Sequence, residues 1–151
     1  MTDVLDAETA VEVIAGRRRG QGFATDVRAR KAVEDRGMAV VRAALETDGW
    51  DVEDVSRSRS YDFHCTRGSD EQRVEVKGSV GGPDEVIVTP NEVKNARDHE
   101  VWLGIVSGII LDWDADGAVL ARAGTLLWHR PWSPADEDLV PLGYKWVAPR
   151  S

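Results

Sequence analysis

Two short segments alternate between apolar and polar residues, as β-strands with one buried face do. In residues 61–65 every second side chain is aromatic or a cysteine, and in residues 73–77 two valines alternate with charged residues. Turn-forming residues lie between the segments, so the pattern predicts an antiparallel hairpin. If its register joins the polar faces, Asp62, Glu75 and Lys77 line one pocket.

The segment upstream has the spacing of a helix. Residues 27–48 contain no proline, and Thr25 or Asp26 is available as the N-cap. One apolar stripe follows the helical period and consists of Met38, Val41 and Leu45. We therefore expect a helix from Val27 to Asp48 that packs on the strands through this stripe.

Glu34 precedes Met38 by one helical turn and shares its face. A carboxylate on a core-facing stripe is costly unless it is paired or bound to a cation. Glu34 is therefore either an additional metal or nearby supporting ligand, or an acid at the edge of the stripe that pairs with Arg30 or Arg36.

The remaining chain predicts strands and one short helix. Residues 85–89 and 101–110 have the composition of strands, and between them Thr89 and Glu92 form a capping box that begins a helix over 90–98. An acidic hairpin turn is expected at 112–117. Three further short strands are expected at 118–122, 126–130 and 139–147.

The trio of Asp62, Glu75 and Lys77 suits phosphodiester chemistry. Two carboxylates together with the carbonyl of Val76 are hard oxygen ligands of the kind that Mg²⁺ accepts. A lysine beside that cation can orient or deprotonate a water while the cation offsets charge on a phosphate. The alternative is a solvated strand face with ordinary ion pairs, which is the commoner meaning of so short a pattern. Its surroundings in the chain favour the site.

Those surroundings resemble the PD-(D/E)XK nuclease-like superfamily, and within it the domain named after the carboxy-terminal part of the plant protein NO VEIN. The resemblance covers roughly residues 27–110. Its motifs are Glu34, Gly49-Trp50, Tyr61-Asp62, Val74-Glu75-Val76-Lys77-Gly78, Thr89-Pro90-Asn91-Glu92-Val93 and Ala96-Arg97. Tyr61 stands where the superfamily pattern has proline, which supplies no ligand.

The resemblance implies an α/β fold: a restriction-endonuclease-like α/β/α core with a central mixed sheet. It also implies Mg²⁺- or Mn²⁺-dependent cleavage of nucleic acid. Carried over by position, Asp62 and Glu75 are metal ligands, Lys77 is the catalytic lysine and Glu34 is the acid on the helix. We expect a flexible arm at 1–26, with a weak helical stretch at 7–14. A single domain would follow at 27–151, with its core at 27–110 and a C-terminal β extension at 111–151.

Composition limits the classes of protein that remain. The chain has 151 residues and one cysteine, Cys65, which excludes an internal disulfide and a zinc cluster of CxxC type. Because Cys65 alternates with aromatic residues along the predicted strand, we expect its side chain to be buried. No apolar run reaches transmembrane length and the first residues do not resemble a signal peptide, so we expect a cytoplasmic protein without membrane contact.

Net charge argues against simple DNA binding. A charge of −8 repels a polyanion, whereas phosphate contacts normally supply much of DNA affinity. The first helix could still offer Arg28, Lys31 and Arg42 to phosphates, although a solvated helix face is the alternative. Because the affinity for DNA is expected to be weak, we expect a homodimer or a partner subunit. The second chain would bind through an aromatic patch that includes Trp128 and Trp132.

Three functions remain in view. The first is a metal-dependent nuclease, acting on DNA in bacterial restriction or defence. The second is a non-catalytic module that keeps the nuclease fold to bind nucleic acid or a protein. The third is a structural interaction protein, which leaves Asp62, Glu75 and Lys77 without a purpose.

Overall fold

The computed structural model describes residues 21–150. Its elements follow the chain as α1 (Gln21–Thr47), β1 (Asp51–Asp54), β2 (Phe63–Arg67), β3 (Asp70–Gly78), α2 (Pro90–Asp98), β4 (Val101–Ser107), β5 (Ile110–Trp113), β6 (Val119–Arg122), β7 (Thr125–His129) and a 3-10 turn at Asp136–Asp138. In this part of the chain, neither helix combines the length and the apolar composition that a bilayer span requires. The predicted helical stretch at 7–14 lies outside the described residues.

A mixed sheet of five strands forms the centre, in the order β1-β2-β3-β4-β7. Strands β3 and β4 run parallel, and the other neighbours are antiparallel. The predicted hairpin is confirmed as β2 and β3, with Phe63 opposite Val74. Strands β5 and β6 form a separate two-stranded sheet.

One helix covers each face of the central sheet, which confirms the expected layers. On one face Val41 and Leu45 of α1 pack with Phe63, Cys65 and Val74 in the core. The side chains that alternate with these strand residues point to the other face, where α2 lies. The predicted burial of Cys65 is confirmed, and this burial raises the pKa of its thiol to about 11.

Helix α1 crosses the end of β3 at very close range. A Cβ atom at Gly78 would lie 2.7 Å from the carbonyl oxygen of Val33, and one at Gly37 would lie 3.4 Å from the Cα atom of Gly78. Such contacts leave no room for a side chain at Gly78 without a backbone shift. The two glycines therefore set how near α1 comes to this end of the strand.

Helix α1 begins at Gln21, earlier than the predicted Val27. Thr25 and Asp26 lie within it, so neither is the N-cap. The helix includes residues 21–26, and the flexibility of the arm at 1–26 stays a prediction. Extending an established helix by one residue costs far less than starting one. Residues that favour caps can therefore be absorbed into its first turns.

Two predicted strands are absent from the described residues. Residues 85–89 are a loop that pairs with no strand of the described residues, although the end of β3 has a strand neighbour only in β4. Residues 139–147 also form no strand, and their apolar side chains stay exposed. The alternation that predicted a strand at 139–147 is present, but alternation alone provides no hydrogen-bonding neighbour.

The predicted strand over 101–110 is split into β4 and the start of β5. Gly108 has a φ of +67° and turns the chain between them. The hairpin turn expected at 112–117 is confirmed: Asp114 Oδ1 accepts hydrogen bonds from the backbone N–H groups of Asp116 and Ala118, each at 2.9 Å. The strands expected at 118–122 and 126–130 are β6 and β7, shifted by one residue.

Candidate functional site

A cavity of about 790 Å³ opens beside the last residues of β3, beyond the point where β2 pairs with this strand. The pairing of β2 with β3 stops at Phe63, so the last residues of β3 have a strand neighbour only in β4. The gap is bordered by α1, by the β1–β2 loop and by the segment that follows β3. Side chains from elements distant in sequence therefore meet at this end of the strand.

Asp62 occupies the place that the missing part of β2 would take. The register that sets Phe63 opposite Val74 sets Asp62 opposite Glu75, so these two side chains share one face, as predicted. Asp62 Oδ2 accepts a hydrogen bond of 2.8 Å from the backbone N–H of Val76. Since the N–H and C=O of one strand residue point to the same side, the Val76 carbonyl faces this gap as well.

The two carboxyl groups are poorly neutralised by the protein. Burial raises the pKa of Asp62 to about 6, although the Val76 N–H and the charge of Lys77 act in the opposite direction. Burial, followed by the negative charges of Asp62 and Glu92, raises the pKa of Glu75 well above its usual range. A divalent cation between them would supply the missing positive charge, so this donor set fits Mg²⁺ or Mn²⁺.

Lys77 is held by a residue that the sequence analysis assigned only to helix capping. Its Nζ lies 2.9 Å from Glu92 Oε1 and 3.9 Å from Glu75 Oε1. The same Glu92 oxygen accepts the backbone N–H of Thr89 at 3.0 Å, which completes the predicted capping box. Glu92 thus joins the start of α2 to the lysine of β3. The capping motif was visible in the sequence, but the contact with Lys77 depends on how α2 packs.

Glu34 reaches the cavity from α1, where its side chain is 36% exposed. Arg30 Nε lies 3.9 Å from Glu34 Oε1, so the alternative in which Glu34 pairs with Arg30 is confirmed. The described residues contain no group of three or more His, Cys, Asp or Glu side chains placed to hold a metal ion. Asp62 and Glu75 are brought together as two carboxyl groups, and the ligand roles of Asp62, Glu75 and Glu34 all stay predictions.

The three basic residues predicted to contact phosphates are separated by the fold. Lys31 lines the cavity and pairs with Asp35 at 2.7 Å. Arg28 is exposed and its guanidinium lies near Gly117 in the β5–β6 turn. Arg42 lies outside the cavity lining. Its Nη1 donates to the Val52 carbonyl at 3.0 Å, and its guanidinium lies over the ring of Phe63.

Other basic residues lie at the cavity instead, namely Arg30, Arg57 and Arg59. Arg57 and Arg59 belong to the run of alternating serine and arginine at 56–60, in the loop that ends at Asp62. The repeated arginines are the sequence signal that could have identified this run as a candidate basic site. Its nearness to the acidic pair follows only from the path of the loop.

His64 lies outside the cavity lining, although it follows Asp62 by two residues and its side chain is therefore expected on the same face. Its Nδ1 is 2.8 Å from the hydroxyl of Tyr61, and its Nε2 is 3.3 Å from Glu71 Oε1. Of the tryptophans expected to mark a docking patch, Trp128 and Trp132 are half-buried, and Trp128 packs edge-on against Trp102. Other large apolar side chains are more strongly exposed, among them Val80, Leu120, Val140, Tyr144 and Trp146.

Comparison with known proteins identifies one family. The family model described as Protein NO VEIN, C-terminal, matches residues 33–112, more than half of the chain. No curated protein and no solved structure matches the chain. The matched range contains Glu34, the acidic pair, Lys77 and Glu92.

Proposed function

Because this chain belongs to the NO VEIN C-terminal family, and because the matched region brings Asp62, Glu75 and Lys77 into one cavity, we propose that it is a metal-dependent nuclease. It would hydrolyse phosphodiester bonds, with DNA as the expected substrate. The observation that carries this proposal is the buried pair of carboxyl groups with raised pKa values beside a lysine. Titratable groups perturbed by burial and by one another, in a cleft, are typical of active sites.

In the proposed reaction Asp62, Glu75 and the Val76 carbonyl hold Mg²⁺ or Mn²⁺. The bound cation would supply positive charge that stabilises the charge developing on the phosphate. Asp62 is kept in place by the Val76 N–H, and Glu75 is kept in place by the strand itself. Both ligands therefore need little rearrangement on binding, which favours a preorganised site.

Lys77 would orient the attacking water and offset negative charge on the phosphate. Its side chain is 11% exposed, and its ammonium group is held by Glu92. The glutamate is in turn held by the backbone of Thr89, so the lysine has a fixed direction. In this proposal Glu92 positions Lys77 and does not contact the substrate.

The setting proposed is bacterial restriction or defence in the cytoplasm, on the strength of the resemblance to restriction-endonuclease-like domains. A weakly binding chain would act there as a homodimer or beside a second subunit. Light scattering of the purified protein measures this directly. A monomer that binds DNA tightly and with a steep salt dependence would contradict the need for a partner.

A non-catalytic module that binds nucleic acid or a protein is the second candidate. It is favoured by the net charge of −8 and by the engagement of Lys77 with two carboxylates. Such a module would bind without cutting, and it would not need a cation held by Asp62 and Glu75.

A cleavage assay separates the two candidates. Single-stranded DNA, duplex DNA and RNA are each incubated with the protein in Mg²⁺, Mn²⁺ or EDTA, with Glu75→Gln as the matched variant. Cleavage that needs the cation and is lost in Glu75→Gln supports the nuclease. Equal cleavage by both proteins would assign the activity to a contaminant, and cation binding without any cleavage would favour the binding module.

A further inference from the structure

The loop between β1 and β2 carries two arginines to the mouth of the cavity. Arg57 and Arg59 are both exposed and both line the cavity. The loop ends at Asp62, one of the proposed metal ligands, so the arginines are only a few residues from it in sequence.

The loop has a defined conformation. The backbone N–H of Val55 donates to the Asp62 carbonyl at 2.9 Å, and the N–H of Arg59 donates to the Val55 carbonyl at 2.8 Å. Asp54 Oδ1 accepts the N–H of Ser56 at 2.9 Å. Val55 and Tyr61 anchor the two ends, with exposed fractions of 6% and 2%. The backbone positions of the two arginines are therefore set relative to Asp62.

The cavity has an acidic floor formed by Asp62, Glu75 and Glu92, and a rim with exposed side chains of both charges, among them Asp54, Glu85, Arg57 and Arg59. Eight acidic and five basic side chains line it. Of the basic ones, Lys77 is held by Glu92 in the floor, and Lys31 pairs with Asp35 on α1. Among the described residues, Arg59 has no carboxylate within salt-bridge distance, and its hydrogen bond goes to the hydroxyl of Tyr61 at 3.5 Å. A neutral partner leaves the charge of Arg59 available to an anion.

Arginine is the side chain best suited to phosphate, because its planar guanidinium offers two parallel donors and stays charged at all working pH values. A duplex whose scissile phosphate reaches the acidic floor must carry its neighbouring phosphates past the rim. We propose, on the basis of the proposed nuclease function, that Arg57 and Arg59 bind DNA backbone phosphates that flank the scissile one and so hold the strand over Asp62 and Glu75.

The test measures binding and cleavage separately. Binding of a labelled DNA duplex is followed by fluorescence anisotropy in EDTA at several salt concentrations, for wild type, Arg57→Ala/Arg59→Ala and Arg57→Lys/Arg59→Lys. The control Lys94→Ala/Arg122→Ala removes the same charge from exposed positions outside the cavity lining. Cleavage in Mg²⁺ gives KM and kcat, and an RNA duplex of the same sequence forms a second arm.

Each phosphate contact contributes about 0.9 to the slope of log affinity against log salt. Loss of two contacts should therefore lower that slope by about 1.8, so that a fourfold rise in salt weakens binding about tenfold less than in wild type. KM should rise while kcat changes little. The lysine pair should keep most of the slope, and the control should keep it entirely.

The outcomes distinguish this proposal from the proposed function. If wild type cleaves DNA and the alanine pair shows the wild-type slope and KM, the arginine contacts are wrong and the nuclease stands. If wild type neither binds nor cleaves any duplex, the arginine contacts fall, and the nuclease falls with them only if single-stranded DNA also stays uncut. Equal losses in the alanine pair and in the control would also overturn the arginine contacts, because the effect would then come from net charge alone.

Discussion

The charged side chains in the two halves of β3 have different kinds of partner. In the first half, between β2 and β4, Arg73 donates to Asn95 Oδ1 at 2.6 Å and lies over the ring of Tyr61. In the second half, where β2 has ended, Glu75 and Lys77 lie beside two further carboxyl groups. The closed half pairs its charge with neutral groups, whereas the open half concentrates acids.

This difference separates stability from function along a single strand. The neutral contacts of Arg73 satisfy its donors without introducing a second buried charge. Burial, together with neighbouring negative charge, raises the pKa values of Asp62 and Glu75 in the open half, and that is a cost in folding free energy which a protein selected only for stability would not retain. Such a cost, confined to one cavity, supports the proposed divalent cation, whose binding would offset it.

The largest expected effect comes from removing a charge in the open half. Glu75→Gln keeps the shape of the side chain but should lower the cleavage rate by about 10³-fold or more, since cation binding contributes several kcal/mol to the transition state. Arg73→Gln in the closed half should keep the rate within about tenfold of wild type. Cleavage rates and Mg²⁺ titration calorimetry test the contrast. Equal losses in the two variants would abolish it.

The crossing of α1 over the open half tests how that end is built. Gly78→Ala should lower the free energy of unfolding by about 1–3 kcal/mol, because the added Cβ meets the Val33 carbonyl oxygen at 2.7 Å. Gly82→Ala is the matched control, since nothing lies within 4 Å of its added Cβ. Urea denaturation of the three proteins provides the comparison. A neutral Gly78→Ala would mean that α1 can move away from β3.

The pH dependence of stability tests the cost of the acids directly. With the pKa of Asp62 raised to about 6 in the folded state, the unfolded chain ionises first, so stability is lost as the pH rises from about 4 to about 6. Asp62→Asn lacks this loss. In EDTA it should therefore gain about 2–3 kcal/mol relative to wild type between pH 4 and pH 8.

Urea denaturation at pH 4 and pH 8 measures this gain, and Mg²⁺ added at pH 8 should stabilise wild type but not Asp62→Asn. If the stability of wild type relative to Asp62→Asn does not fall as the pH rises, ionisation of Asp62 does not destabilise the folded protein.

The smallest expected effect lies in the capping box that supports Glu92. Thr89→Ala removes the acceptor for the Glu92 N–H and should cost about 1 kcal/mol, whereas Thr89→Ser should cost little. Thermal unfolding measures both. Because the Glu92 side chain still accepts the N–H of residue 89, cleavage should stay near the wild-type rate. A large loss of activity in Thr89→Ala would show that the cap itself positions Lys77.

Several features could be predicted because they depend on neighbours in sequence. Alternation at 61–65 and 73–77 predicted both the hairpin and the shared face of Asp62 and Glu75, since side-chain direction along a strand has a period of two residues. The capping box at Thr89 is equally local, because all its atoms lie within one helical turn.

Other features were decided only by the tertiary structure. Residues 85–89 have strand composition but join no strand of the described residues, and α1 extends back to Gln21 through residues that favour caps. The contact of Glu92 with Lys77 depends on where α2 docks. Likewise, Arg42 is drawn to the Val52 carbonyl while Arg57 and Arg59 reach the cavity. Sequence periodicity determines which way a side chain points from its own element, but only packing determines what it meets there.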